Sequence, residues 1–333
     1  MTPPRLRRAR TLAIVMLLTF GSSDAALAYL HFTTGNGVRL RWDSPVRWFA
    51  TERGAPGISP TDFRAALQRA FDTWQDVPTA SITFQFVGFT SAEPFEDDGL
   101  TVLGFQNEPD QERVLGATSF IIDVLSGEIV ESDVFFNSAF EWSTAAGGDA
   151  ARFDLESVAV HEIGHLLGLG HSALGETELR PEGGRRVFAS GAVMFPISLG
   201  RGSIADREVQ PDDIAGVSDL YPDGDFRANT GAVRGRVLRN GTPVHGAHVV
   251  AFNPQTRAVI GGFSLGADGA FQIAGLAPGA HVVRVEPLDD ADVESFFSSR
   301  GVDVDFQVTY HPRLFVAPAG GVGERFDVTV RPK

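Results

Sequence analysis

Apolar positions recur along this chain with two different periods, and the change comes near residue 225. After Ser59, the residues Phe63, Leu67, Ala70, Phe71 and Trp74 fall three and four apart, which lays one apolar stripe along a helix. Ser59 suits the cap of that helix, Pro60 its first position, and Asp62 puts an acidic group in the first turn. Further helices are predicted over residues 155–167 and 212–220, with Pro211 just before the second. Residues 46–49, 82–87, 100–105, 117–124 and 134–136 are short β-rich runs bounded by Gly, Pro, Asp or Asn, and read as strands of one sheet. Past Tyr221 and a linker at 222–225, residues 233–238, 247–252, 270–273 and 281–285 alternate between Gly and Pro punctuation with no helix signal. That is the pattern of a β-sandwich.

Length agrees with two units, because 333 residues exceed the roughly 100–200 of one ordinary domain. The expected division is a leader at 1–28, a first domain at 29–224 and a second at 225–333. The leader is read from Arg5, Arg7, Arg8 and Arg10, then an apolar run at 12–20, then Ala26-Leu27-Ala28: a basic region, a short apolar core and a small-x-small cleavage site. Ser22, Ser23 and Asp24 interrupt the run well before the ~20 apolar residues of a membrane span, so a secreted chain without a stable membrane anchor is expected. Cysteine is absent, which excludes disulfides and a lipid on an N-terminal cysteine, and leans toward bacterial export. A formal charge of -14 leaves no basic face for a phosphate backbone, so no nucleic acid is expected as partner.

The chemistry concentrates in His161-Glu162-Ile163-Gly164-His165-Leu166-Leu167-Gly168-Leu169-Gly170-His171. Histidines four apart on a helix lie one turn apart, so His161 and His165 can reach one metal ion, with Glu162 at their flank. On an ideal wheel Leu155, Ala159, Ile163 and Leu166 take the opposite, packing side. His171 lies roughly 120° off the metal-facing direction of that wheel. The chain must turn to bring it in, and Gly168 and Gly170 supply the freedom. Three imidazoles leave a fourth position for water, the mark of a catalytic zinc. Glu162 is then the expected general base. The extended spacing is the metzincin pattern, and Ala192-Val193-Met194-Phe195-Pro196 supplies its Met-turn, with Met194 expected beneath the metal as a packing residue. His31, His245, His248, His281 and His311 lack ligand spacing and read as surface or strand residues.

Residues 153–160 leading into the zinc motif, Ser172 after it, Met194-Phe195-Pro196, 210–214, and Leu220-Tyr221-Pro222 together resemble the matrixins, the metzincin branch of the matrix metalloproteinases. The resemblance covers about residues 38–222. It implies an α/β domain with a twisted, mostly parallel five-stranded sheet, one antiparallel edge strand and three helices. It also implies endopeptidase activity on a protein or peptide lying along that edge, and a side-chain pocket from Val193, Phe195, Pro196 and Ile197. Animal matrixins carry histidines for a second, structural zinc that residues 114–120 and 133–137 lack, so one catalytic Zn2+ is expected. Asn137, Ser138, Ala139 and Phe140 replace most of the family's acidic calcium ligands, which leaves Ca2+ an open alternative. A cysteine latency switch is excluded, and residues 29–45 are too few for a folded prodomain.

About twenty residues, 173–192, separate His171 from the Met-turn. Their Glu, Arg and Gly content reads as an exposed loop, either a tolerated insertion or a rim that selects substrate. Residues 231–235, 243–249, 268–271 and 276–279 resemble a carboxypeptidase regulatory-like domain, implying a transthyretin- or immunoglobulin-like sandwich that binds substrate, a cell surface or the first domain, or only stabilises it. Two rivals to a secreted endopeptidase stay open: an inactive binding protein, which the intact Glu162 opposes, and hydrolysis of a non-peptide amide.

Overall fold

The computed structural model describes residues 10–13, 30–181, 183–297 and 302–333. The leader expected at 1–28 lies outside these, except for a short strand β1 (Arg10–Ala13) that runs antiparallel beside Phe120–Asp123. Inside it stand β2 (Val46–Thr51), β3 (Phe84–Thr90), β4 (Thr101–Gln106), β5 (Gly116–Asp123) and β6 (Ile129–Asn137). They form one sheet in the order β1-β5-β6-β4-β2-β3, with β2, β3, β4 and β6 mutually parallel and β5 antiparallel to β6.

Helix α1 (Pro60–Gln75) begins where the sequence places it, with the Ser59 hydroxyl accepting from the Asp62 N–H at 3.1 Å. Its stripe of Phe63, Ala66, Leu67, Ala70, Phe71 and Trp74 is fully buried, each large side chain contributing about 1.5–3 kcal/mol. Phe71 stacks on Trp48 of β2 at 4.6 Å, and the Trp74 indole donates to the Val160 carbonyl at 2.8 Å, joining α1 to α2 (Leu155–Leu166). Two-residue strands β7 (Trp142–Ser143) and β8 (Phe153–Asp154) pair just before α2. Asp154 caps α2, accepting from the Ser157 N–H at 2.9 Å while Arg207 neutralises the carboxylate. Every residue of α2 except His161 is buried, so the helix has almost no solvent face.

Three expectations need correction here. Residues 173–192 are not a loop but contain a hairpin, β9 (Gly175–Leu179) and β10 (Arg185–Ser190). Pro211 does not precede α3 (Pro211–Leu220) but is its first residue, with Gln210 and Asp213 forming a reciprocal cap. The segment after residue 225 does contain helical turns, α4 (Phe226–Asn229) and a 3-10 turn at Val293–Ser295.

The remaining chain is otherwise strands. In one sheet β11 (Gly231–Arg239) pairs with β12 (Thr242–Pro243), β15 (Ala270–Leu276) and, in parallel, β19 (Phe326–Val330). In the other, β13 (His248–Phe252) lies between β14 (Val259–Phe263) and β16 (Gly279–Glu286), and β16 also pairs with β17 (Thr309–Tyr310) and β18 (Phe315–Ala317). Val233, Phe271, Val249, Val283 and Val285 of both sheets share one core, which Ala215 of α3 joins. Between this core and the one around α1 and α2 lies an apolar seam of Leu30, Ala173, Phe195, Phe263, Phe296 and Phe297. No helix among the described residues is long and apolar enough to cross a membrane.

Candidate active site

Helix α2 ends at Leu166, and just past its cap Gly168 has a φ of +99°, open to glycine and strained for other residues. Gly170 is needed for a different reason than the turn expected of it: a Cβ there would lie 2.8 Å from Leu30 Cβ, so the chain can pass only without a side chain. The reversal brings His171 back to the helix, and one ligand nitrogen from each of His161, His165 and His171 lies within 4.8 Å of the others. The sequence reading grouped these three, and the fold brings them together.

Each imidazole is held from behind by a backbone carbonyl. Nδ1 of His161 lies 2.7 Å from the Val193 oxygen, that of His165 2.8 Å from Leu169, and that of His171 2.7 Å from Ser295. A carbonyl can only accept, so Nδ1 carries the proton and donates in all three, and each Nε2 presents a lone pair. Nε2 of His165 and His171 stand only 3.1 Å apart. Two facing lone pairs repel each other, and a cation between them removes the repulsion. Burial lowers the basicity of all three, with mutual repulsion adding to it in His165 and His171, the latter falling to about 3. They are neutral near pH 7, and three neutral imidazoles so placed could hold a metal ion, a donor set that zinc takes.

Glu162 is buried against the sheet edge, where the Thr118 hydroxyl of β5 donates to Oε2 at 2.7 Å. Burial raises the carboxyl to about 7 against the opposing effect of that hydrogen bond. The strand makes room for it: a Cβ on Gly116 would sit 3.1 Å from Glu162 Oε1. Met194 packs against Gly164 of helix α2 and is 2% exposed. Its turn is tied down by Asp213, whose carboxylate accepts from the N–H groups of Val193 at 2.8 Å and Met194 at 3.1 Å. The neighbouring Asp212 accepts from the Ser172 hydroxyl at 2.6 Å and from the Gly261 N–H of β14 at 2.8 Å. Burial, and then the charge of Asp213, raise Asp212 to about 7.

A cleft of about 750 Å3 opens over the histidines and Glu162. Residues 112–118 line one side, and Val193, Pro196, Ile197 and Ser198 another. Phe195, expected in the side-chain pocket, does not line the cleft; it points into the apolar seam, where its ring would meet any side chain at Gly175. The hairpin contributes Arg180, Gly184 and Arg185 to the rim, and the far segment contributes Asp292, Glu294, Ser295, Phe296 and Phe297. Thr118, Asp213 and Ser295 were not assigned roles from sequence. Thr118 and Asp213 lie in stretches that carried the resemblance or its departures, whereas a backbone carbonyl such as that of Ser295 has no sequence signal. His31, His248 and His281, expected at the surface or on strands, are each 2% exposed, and only the latter two lie on strands.

Residues 41–182 match the matrixin family, peptidase family M10, and the match stops inside the β9–β10 hairpin. Among curated proteins, Metalloendoproteinase 4-MMP of Arabidopsis thaliana is 30% identical over 55% of this chain and 48% of its own length. Metalloendoproteinase 5-MMP of the same plant is 47% identical over 51% of this chain and 44% of its own. Matrix metalloproteinase-16 of Rattus norvegicus is 31% identical over 40% of this chain and 22% of its own. The chain thus spans about half the length of these plant relatives, and less of the animal one. Residues 41–182 are thus similar to a matrix metalloproteinase-like catalytic domain, and the mixed sheet with its few helices fits an α/β metzincin fold.

Proposed function

We propose that this protein is a secreted zinc-dependent endopeptidase that hydrolyses peptide bonds in extended protein segments. The observation that carries this reading is the triad itself: three neutral imidazoles whose Nδ1–H groups are spent on carbonyls, so that three Nε2 lone pairs converge beside a buried carboxylate. His161, His165 and His171 would hold the metal, which when bound supplies a Lewis acid that polarises the scissile carbonyl and acidifies water.

Glu162 does the proton work. With its carboxyl raised to about 7, it takes the proton of the attacking water at one oxygen while Thr118 holds the other. Oxygen then bonds to the amide carbon, the C–N bond breaks, and Glu162 returns the proton to the leaving amine. Residues 116–118 of β5 line the cleft beyond the stretch that β1 covers, so an extended substrate can add to this edge by main-chain pairing. Val193, Pro196 and Ile197 then receive its side chain on the opposite wall. Residues 29–224 form the peptidase unit and 225–333 a carboxypeptidase regulatory-like sandwich, with Arg180 and Arg185 of the hairpin acting as a rim that selects substrate.

The test is zinc content and casein cleavage by the chain, with Glu162→Ala alongside. Cleavage that a chelator abolishes, and an inert variant that still holds about one zinc, are expected. Zinc-loaded Glu162→Ala cleaving at the wild-type rate would remove Glu162 from the chemistry, and a wild-type chain that binds no zinc would remove the reading altogether.

A further inference from the structure

His161 and His165 find their carbonyls close by, in the Met-turn and four residues along the chain, but the acceptor for His171 lies 124 residues away. It belongs to the 3-10 turn Val293–Ser295, which hangs from the second sheet unit between β16 and β17. Resting on the zinc-peptidase reading, we propose that this turn is a positioning element of the metal centre, so that the C-terminal half of the chain completes the active site.

Three observations support this. The Ser295 carbonyl is fixed in direction, because the turn is closed by Ser295 N–H donating to the Asp292 oxygen at 2.9 Å and Phe296 N–H to the Val293 oxygen at 3.0 Å. The turn is anchored by Phe296 and Phe297, 2% and 4% exposed, which lie with Phe195 of the Met-turn and Phe263 of β14 in the apolar seam; the Phe296 ring also meets the His171 imidazole at 6.1 Å. Finally, the hairpin clasps the stretch just before the turn: Thr177 N–H donates to Asp290 Oδ1 at 3.2 Å, and Arg185 donates to the Asp289 carbonyl at 2.9 Å and pairs with Asp292 at 3.4 Å. The segment inserted between His171 and the Met-turn therefore grips the segment that orients His171. A metal-ligand imidazole without its outer acceptor loses both its tautomer preference and its ring orientation, which typically costs 10–100-fold in metal affinity.

Phe296→Pro and Phe296→Ala separate the carbonyl from the ring. Both remove the aromatic anchor, but only proline forces the preceding Ser295 out of the helical region and swings its carbonyl away, while deleting the N–H that closes the turn. Zinc affinity is measured by competition with a chromogenic chelator on the full chain, with imidazole nitrogens followed by long-range proton–nitrogen NMR. Phe296→Ala is expected within about threefold of wild type and Phe296→Pro about 10–100-fold weaker, with the slowly exchanging Nδ1 proton of His171 lost only in the latter. Equal zinc affinity in the two variants overturns the inference. Should Phe296→Pro fail to fold, the wild-type spectrum decides: a His171 Nδ1 proton that exchanges freely with water overturns it as well. A wild-type chain that binds no zinc would remove the peptidase reading, and the same proton, followed in the metal-free chain, would still test the contact.

Discussion

Gly164, one residue before the second histidine, is where helix and Met-turn approach each other most closely. A Cβ built there would lie 2.2 Å from Met194 Sδ, 3.1 Å from its Cε and 2.9 Å from Cζ2 of Trp74. Gly164→Ala should gain about 0.5–1 kcal/mol from helix propensity and lose about 1–3 kcal/mol to overpacking, because Met194 and Trp74 are both buried and cannot swing out. The net change therefore runs from roughly nothing to a loss of about 2.5 kcal/mol. Met194→Ala alone should cost about 2–5 kcal/mol through the cavity it leaves. In the double variant the added methyl enters the vacated space, so the pair should be at least ~1 kcal/mol more stable than the sum of the single losses. Relief stays incomplete because the Trp74 contact persists. The assay is urea unfolding of chelator-treated chains followed by tryptophan fluorescence, which keeps metal linkage out of the comparison. Additivity within about 0.5 kcal/mol, or a Gly164→Ala chain more stable than wild type by the full helix-propensity gain, would refute the close packing of helix on Met-turn.

Arg207→Ala strips the buried Asp154 carboxylate of its bidentate partner at the cap of α2 and should cost about 3–5 kcal/mol in urea unfolding; a loss below 1 kcal/mol would contradict the packing at that helix end. Thr118→Val removes the donor that favours ionised Glu162, so Glu162 should protonate at higher pH and the acid limb of kcat/KM move upward; an unmoved limb with full zinc loading would separate Thr118 from the base. Asp212 has a folded pKa of about 7, raised from 3.8, so the folded chain binds its proton more tightly and its contribution to stability is full below pH 4 and lost as pH rises through 7. The lowered histidines work in the opposite direction, so the informative quantity is the stability of wild type minus Asp212→Asn, which should grow as pH falls from 7 to 4; a constant difference would mean that Asp212 titrates normally.

What could be read from sequence, and what could not, divides along physical lines. Helix α1 was legible because its cap, its proline and its stripe are all local. The zinc motif was legible because ligand spacing along a helix is itself geometry. The β9–β10 hairpin was not: of its larger apolar residues Leu179 and Phe188 are exposed and only Val187 packs, half-buried, against the seam, so no run of alternating apolar positions marks either strand. Phe195 was read toward the cleft because it neighbours Pro196 and Ile197, yet its ring faces the seam, whose other members come from residues 30 to 297. His31 was read as a surface or strand residue, yet it is buried, and its partner, the Gly216 carbonyl, lies 185 residues away. Pairings of that range leave no periodic trace in a single chain.

The three imidazoles draw their orientation from separate parts of the molecule. His165 is held by the chain reversal that follows its own helix, His161 by the Met-turn, and His171 by a turn of the C-terminal half. The Met-turn depends in turn on Asp213 of α3, and Asp212 beside it reaches β14, so the carbonyl behind His161 and the sheet that carries the Val293–Ser295 turn meet at adjacent residues of one helix. Directing three lone pairs at one point costs entropy if each ring is free to rotate, and that cost is avoided only when all three elements are docked. Metal affinity in such an arrangement is a property of the docked whole. It should fall steeply when the Ser295 carbonyl is turned away from His171, and only slightly when the seam between the two cores loses a single ring and keeps that carbonyl in place.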